Sequence, residues 1–350
     1  MLAWLVVMLV VAEASLQVRS QILTGQSVLS RLFNGTQMIR DEATGLRLMR
    51  PGAVIRGTRE EIRVNSLGLR SPEIPALKLT GEYRIVVIGA SSVMGAYAPT
   101  NEETFSAYLE SSLRRDLGSP SVNVINAGIR GATLDDQTLM LQYVTARLKP
   151  DVVLLYTGFN DFAAYCSARP SSALAGSQFG LPVVELPPWV QTVEMLRKNT
   201  TLMRPAVLGD QHIRDPRTVD LELYRAKLDR ILAMASETGA HVMLATNTRA
   251  YRPDQPAEVQ ERLAQTARFF NPCFDVPGLH DLYKRHTSVI QAVATDLAVP
   301  LVRLDELVPG GPQYFQDSTH FNDRGNRLVA DLFSKALADH GYPGRAGGSR

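Results

Sequence analysis

From Tyr83 onward the chain alternates unbroken apolar runs with stretches of helical spacing. The runs "YRIVVIGA", "VNVINAG", "DVVLLYTG", "HVMLATN" and "PLVRLDEL" read as strands. Between and after them lie "ETFSAYLESSLRRDL", "DDQTLMLQYVTARL" (stopped by Pro150), "ELYRAKLDRILAMASETG", helical stretches across 256–297, and "DRGNRLVADLFSKALADH". Strands apolar on both faces suit a parallel sheet covered on both sides. The β-α-β-α order predicts a three-layer α/β/α flavodoxin-like sandwich with a mainly parallel sheet, occupying residues 81–342. Residues 163–221 break the rhythm, being rich in Pro, Ser and Gly with a short helical patch at "WVQTVEMLRK". They read as an insertion over one end of the sheet. Residues 19–80 read as an irregular lead-in with turn signals at "NSLGLRSPEIP", and 343–350 as a disordered tail.

The N-terminus has a different pattern. "LAWLVVMLVVA" is apolar on every face, so a helix packed by one side on a domain is disfavoured. It is shorter than the ~20 residues of a full span and matches a signal h-region, with "AEA" resembling a cleavage site. No Lys or Arg precedes it, whereas Arg19, Arg31 and Arg40 follow, the reverse of a secretory signal. Residues 1–18 are therefore expected to be a signal or anchor segment of an exported or membrane-associated protein.

Composition changes this picture little. With 350 residues, 45% hydrophobic content and a formal charge of +2, the chain suits a globular fold and gives no electrostatic reason for a nucleic-acid partner. Cys166 and Cys273 lack metal-ligand spacing, and the count permits either one disulfide or two free thiols. His212, His241, His280, His286 and His340 are scattered without a ligand pattern, so no metal or organic cofactor is expected.

The chemistry gathers at strand ends, where open α/β sheets bind ligands. Ser91 follows the first strand, Gly128 ends the second, Asn160 stands beyond the third, and Asp317 and His320 follow the last. Singly, each has an ordinary explanation as an N-cap, a turn former or a surface histidine. Together they are the parts of acyl transfer. A serine needs a base, the base needs a group to fix its tautomer, and the oxyanion needs preorganised donors. In D-x-x-H one turn lets Asp317 reach His320, leaving Nε2 free to face Ser91. The N–H groups of Ser91 and Gly128 and the Asn160 amide are the expected oxyanion donors.

In order, "GASSVMG", "NAGIRG", "GFND" and "DSTHFNDRGNRLVA" resemble the four blocks of the SGNH/GDSL hydrolase superfamily, over roughly residues 83–340. "NSLGLRSPEI" is similar to a lead-in of its membrane-anchored bacterial members. The resemblance implies Ser91 as nucleophile, His320 as base and Asp317 as its partner, with Gly128 and Asn160 donating to the oxyanion. The family's aspartate before the serine is Ala90 here, and Ser92 is the rival nucleophile, disfavoured by the spacing to Gly95. The resemblance further implies hydrolysis of a carboxylic ester, O-acetyl or short acyl, on a small molecule or carbohydrate. An O-acyltransferase with the same residues and a silent glycan-binding module are the alternatives. Tyr97, Arg130, Phe159 and Phe162 are the expected substrate neighbours.

Overall fold

Five parallel strands end level with one another, and this fixes where a site can form. The computed structural model describes residues 2–24, 38–56, 60–117, 121–157, 159–166, 192 and 213–342. Strands β1 (Tyr83–Gly89), β2 (Val122–Gly128), β3 (Val152–Tyr156), β4 (His241–Ala245) and β5 (Leu301–Val302) form one sheet. Its order is β2-β1-β3-β4-β5. Gly89 pairs with Gly128 and with Tyr156, Tyr156 with Ala245, and Ala245 with Val302. Each partner is the last residue of its strand, so the carboxyl ends make a straight rim. Because β1 lies between β2 and β3, the crossovers change direction there, which opens a crevice at the end of β1.

The three layers follow from side-chain alternation along each strand. Val86, Ile88, Val153, Leu155, Val242 and Leu244 face helices α3 (Leu134–Met140), α4 (Glu222–Glu237) and α5 (Val276–Asp296). Ile85, Val87, Val124, Leu154 and Met243 face helices α2 (Phe105–Leu117) and α6 (Asp323–Asp339). Both sides of the sheet are thus dry, as the unbroken apolar runs require. Each fully buried Val, Leu or Ile contributes about 1.5–3 kcal/mol of transfer free energy. The predicted three-layer α/β sandwich is the observed fold.

The lead-in is more ordered than its sequence suggests. One helix, Leu2–Thr24, runs through the expected boundary at residue 18. Among the described residues no helix is long and apolar enough to cross a membrane. Within the stretch read as irregular, Met38–Arg40 pairs with Arg47–Met49, and Val54–Arg56 with Glu61–Arg63. Three-residue strands are too short to show a period. Met49, Ile55, Ile62 and Val64 nonetheless pack with Met94 and Ala96, just beyond Ser91. Cys166 and Cys273 form a disulfide across 107 residues, deciding the pairing that the sequence left open. Most of the insertion, 167–191 and 193–212, and the tail 343–350 lie outside the described residues.

Candidate active site

The site is built on the turn between β1 and helix α1 (Ser91–Met94). Gly89 is required there, because a Cβ would stand 2.3 Å from Val93 Cγ2 and 2.4 Å from the Tyr156 carbonyl oxygen. This close approach aims Ser91 over the rim. Its Oγ lies 2.8 Å from His320 Nε2. His320 Nδ1 lies 2.8 and 2.9 Å from the two oxygens of Asp317. Asp317 Oδ1 also accepts the Thr319 and His320 N–H groups, both at 2.9 Å, so the D-S-T-H turn holds itself in shape. Burial raises the Asp317 carboxyl, but the His320 hydrogen bond and charge and these two N–H groups prevail, holding it below its ordinary value. An ionised Asp317 accepts a hydrogen bond from Nδ1–H, which leaves Nε2 a lone pair toward Ser91. Ser92 points elsewhere, donating to the Thr319 carbonyl at 3.2 Å and tying the serine turn to the histidine turn.

Around Ser91 the donors differ from the expected set. Gly128 does not offer its N–H to the crevice, since that group donates to Asn126 Oδ1 at 3.0 Å. A Cβ on Gly128 would stand 2.1 Å from the Met94 nitrogen. Its glycine serves contact between β2 and the serine turn, a contact Asn126 extends by donating to the Val93 carbonyl at 2.8 Å. The second glycine of N-A-G-I-R-G, Gly131, is exposed, holds φ +69° and has open space around it. A positive φ selects glycine wherever a backbone turns outward. Asn160 donates one amide hydrogen to the Ala132 carbonyl at 3.0 Å, which sets it beside Gly131 with its second hydrogen to spare. Asp161 accepts the Leu134 N–H at 3.1 Å, and its burial pushes the carboxyl up to about 7.

The expected substrate neighbours divide. Tyr97 is exposed, holds φ 70°, and meets the His320 ring edge-on at 5.5 Å. Arg130 is exposed and pairs with Glu60 at 3.6 Å. Phe159 is half-buried against Phe162 and Tyr283, each centroid 6.0 Å away. Phe162 is wholly buried, 4.8 Å from both Tyr283 and His286, so it is core rather than pocket. An aromatic two residues beyond Asn160 has already turned back under the rim.

Sequence reading also missed Arg70, in "NSLGLR". Its guanidinium donates to the carbonyls of Met94 (3.4 Å), Gly95 (2.7 Å), Ala98 (2.9 Å) and Thr100 (2.8 Å), and to Asn101 Oδ1 at 3.0 Å. Burial lowers it to about 10, which leaves it a cation at neutral pH. Asn65 Oδ1 accepts from Leu67 and Leu69 N–H groups, both at 3.0 Å, shaping the turn that presents it. The lead-in therefore clamps the loop that follows Ser91. Among the described residues no His, Cys, Asp or Glu cluster could hold a metal ion.

The GDSL-like lipase/acylhydrolase family matches residues 87–328. No curated protein sequence matches the chain significantly. Among solved structures, an α/β hydrolase enzyme from the metagenome of Lake Arreo, Spain, is 19% identical, covering 73% of this chain and 95% of its own, with a TM-score of 0.45. The lipase/acylhydrolase from Enterococcus faecalis is 18% identical, with 74% and 96% covered and a TM-score of 0.45. An acetyl xylan esterase from Geobacillus stearothermophilus is 15% identical, with 73% and 94% covered and a TM-score of 0.45.

Proposed function

The chain belongs to the GDSL-like lipase/acylhydrolase family, and from that premise we propose that it is a serine esterase acting through an acyl-enzyme. The observation that carries this reading is the unbroken chain Ser91 Oγ–His320 Nε2–Asp317, with links of 2.8 Å and 2.8 Å. His320 takes the Ser91 proton as Oγ attacks the acyl carbon, then returns it to the leaving alcohol. A water activated by the same imidazole releases the acid and frees Ser91. Asp317 stays ionised throughout and fixes the tautomer. The oxyanion is received by the N–H of Ser91, the spare amide hydrogen of Asn160 and the N–H of Gly131, which replaces Gly128 in this role. Tyr97 and Arg130 border the entrance, and the acyl group is short, as in an O-acetyl ester of a small molecule or carbohydrate.

An extracytoplasmic place of action is part of the proposal. The Cys166–Cys273 disulfide supports it, because such bonds persist in oxidising compartments. Exposed Trp4, Met8 and Ile22 on the helix Leu2–Thr24 support attachment at a membrane surface.

A fluorophosphonate probe tests the chemistry. Adduct on wild type and on Ser92→Ala, but none on Ser91→Ala, is the expected pattern. Labelling lost only in Ser92→Ala would reassign the nucleophile. A folded wild type that takes no label would remove the esterase reading.

A further inference from the structure

Four residues beyond the end of β4, level with Asn160 four residues beyond β3, stands Arg249. Its guanidinium lies over aromatic rings, with the carbon 4.2 Å from the Tyr283 ring centre and 5.5 Å from that of Tyr251. Tyr283 in turn stacks on Phe159, the neighbour of Asn160. On the other side, the Ala250 N–H donates at 2.9 Å to the carbonyl of Ser318, between Asp317 and His320. Arg249 therefore sits between the segment that carries Asn160 and the segment that carries Asp317 and His320.

Its charge is unanswered. Arg249 is only 7% exposed, and among the described residues no carboxylate pairs with it. Nη2 meets His280 Nδ1 at 3.1 Å, and His280 Nε2 meets Gln260 Oε1 at 2.8 Å. The glutamine oxygen accepts a hydrogen bond from Nε2–H, so Nδ1 is a neutral acceptor and brings no negative charge. Nε is buried without any acceptor. Arg252, three residues on, is spent on the Asp305 and Val308 carbonyls and Thr248 Oγ1. A buried guanidinium with neither counter-ion nor a full set of acceptors is costly to fold around.

We propose that Arg249 is a specificity determinant that receives an anionic group carried by the ester substrate. One uncommitted cation matches one unit of negative charge, and a planar guanidinium matches a carboxylate in the plane of its N–H groups. The preferred substrate is thus an acyl ester of a carboxylate-bearing molecule, such as an acylated acidic sugar or hydroxy acid. The binding part of this assignment does not need Ser91 to be the nucleophile, whereas the specificity part rests on that reading.

The full chain is tested with two acetyl esters of matched shape, 4-acetoxybenzoate and the neutral 4-acetoxybenzamide. In a Ser91→Ala background, calorimetric affinity for the benzoate ester is expected to fall about tenfold or more on Arg249→Gln, as for a lost hydrogen bond to charge. Affinity for the benzamide should stay unchanged, and Arg249→Lys should restore part of the loss. With Ser91 present, kcat/KM should show the same selective fall, while fluorophosphonate labelling of Arg249→Gln reports an intact fold. Equal effects on both esters, or on neither, would overturn the anion subsite. Selective binding without any hydrolysis by wild type would keep the subsite and discard the esterase reading. Hydrolysis that ignores Arg249 would do the reverse.

Discussion

Two buried arginines stand on opposite sides of the site, Arg70 beside the serine turn and Arg249 beyond β4. Arg70 is 1% exposed and Arg249 7% exposed, so burial does not separate them. Their partners do. Arg70 is surrounded by carbonyl oxygens of the loop after Ser91 and has nothing left to offer. Arg249 has a neutral imidazole, two aromatic faces and an Nε without an acceptor. A satisfied network fixes one geometry, and here it fixes the loop that follows Ser91. Unsatisfied groups at a rim mark the place where something other than protein completes the structure.

The largest effect that would break the contrast is expected at Arg70. Arg70→Met leaves four backbone carbonyls without their donor, a loss of about 3–5 kcal/mol at about 1 kcal/mol or more for each. Urea unfolding should show a lower midpoint with unchanged slope. Because the freed loop starts at Met94, fluorophosphonate labelling of Ser91 should slow as well. A variant with wild-type stability would mean the clamp is not what holds the turn.

Next in size is the contact beneath that turn. Gly128→Ala forces a methyl group against the Met94 nitrogen, where the ideal separation is only 2.1 Å, and should cost about 3 kcal/mol through displaced backbone. Gly131→Ala meets no neighbour, but holds φ +69°, and should cost only about 1 kcal/mol. The expected signature is a crossed pair. Gly128→Ala lowers thermal stability more, and Gly131→Ala loses more kcat for its loss of stability, because it disturbs the proposed oxyanion donor. If the two variants lose stability equally, the packing role given to Gly128 is wrong.

On the Arg249 side the comparison is sharpened by pH. Burial lowers His286 to about 3, so the folded protein keeps a neutral imidazole where the unfolded chain, near 6.5, takes up a proton. Stability is therefore fully present above pH 6.5 and declines as pH falls toward 3. Each pH unit in this window is worth about 1.4 kcal/mol. His280, lowered to about 4 by burial and by the Arg249 and Arg252 charges, adds to the same decline. Asp161, raised to about 7 by burial, has the opposite slope. Comparing His286→Leu with wild type cancels the contributions of both. The variant should gain about 2.5 kcal/mol relative to wild type on going from pH 7 to pH 4.5. A pH-independent difference in unfolding free energy would place a charged histidine in the fold.

Most of the sheet could be read from the sequence because buried parallel strands carry a continuous apolar signal, as "RIVVIG" and "VVLLY" do. Ser91, Asn160, Asp317 and His320 were legible for a related reason, since strand order alone brings them to one rim. The errors lie where a role depends on contacts distant in sequence. Gly128 and Gly131 are indistinguishable until it is known that one lies under Met94 and the other in the open. Phe162 follows Asn160 closely, yet a four-residue helix, Phe162–Tyr165, carries it into the core. Arg70 gives no local signal, because its partners lie 24 to 31 residues further along. The hairpins of the lead-in, with three residues to a strand, have no period to detect.

The smallest expected change in stability is the one that most directly separates the two arginines. Arg249→Met removes the guanidinium that lies over Tyr283, and with it a buried charge that no described carboxylate answers. Losing the cation–aromatic contact costs about 0.5–2 kcal/mol. Relief of the uncompensated charge offsets this, since replacing buried ionic groups by apolar ones of similar size is often neutral or stabilising. The net shift should lie within about 1 kcal/mol of zero, against the several expected for the same substitution at Arg70. Urea midpoints of the two variants, measured side by side, make the comparison. If Arg249→Met destabilises as much as Arg70→Met, then Arg249 is a structural residue with partners of its own. A near-zero shift means that the fold tolerates an unanswered guanidinium at the rim without needing it, which is what a residue kept for a ligand would show.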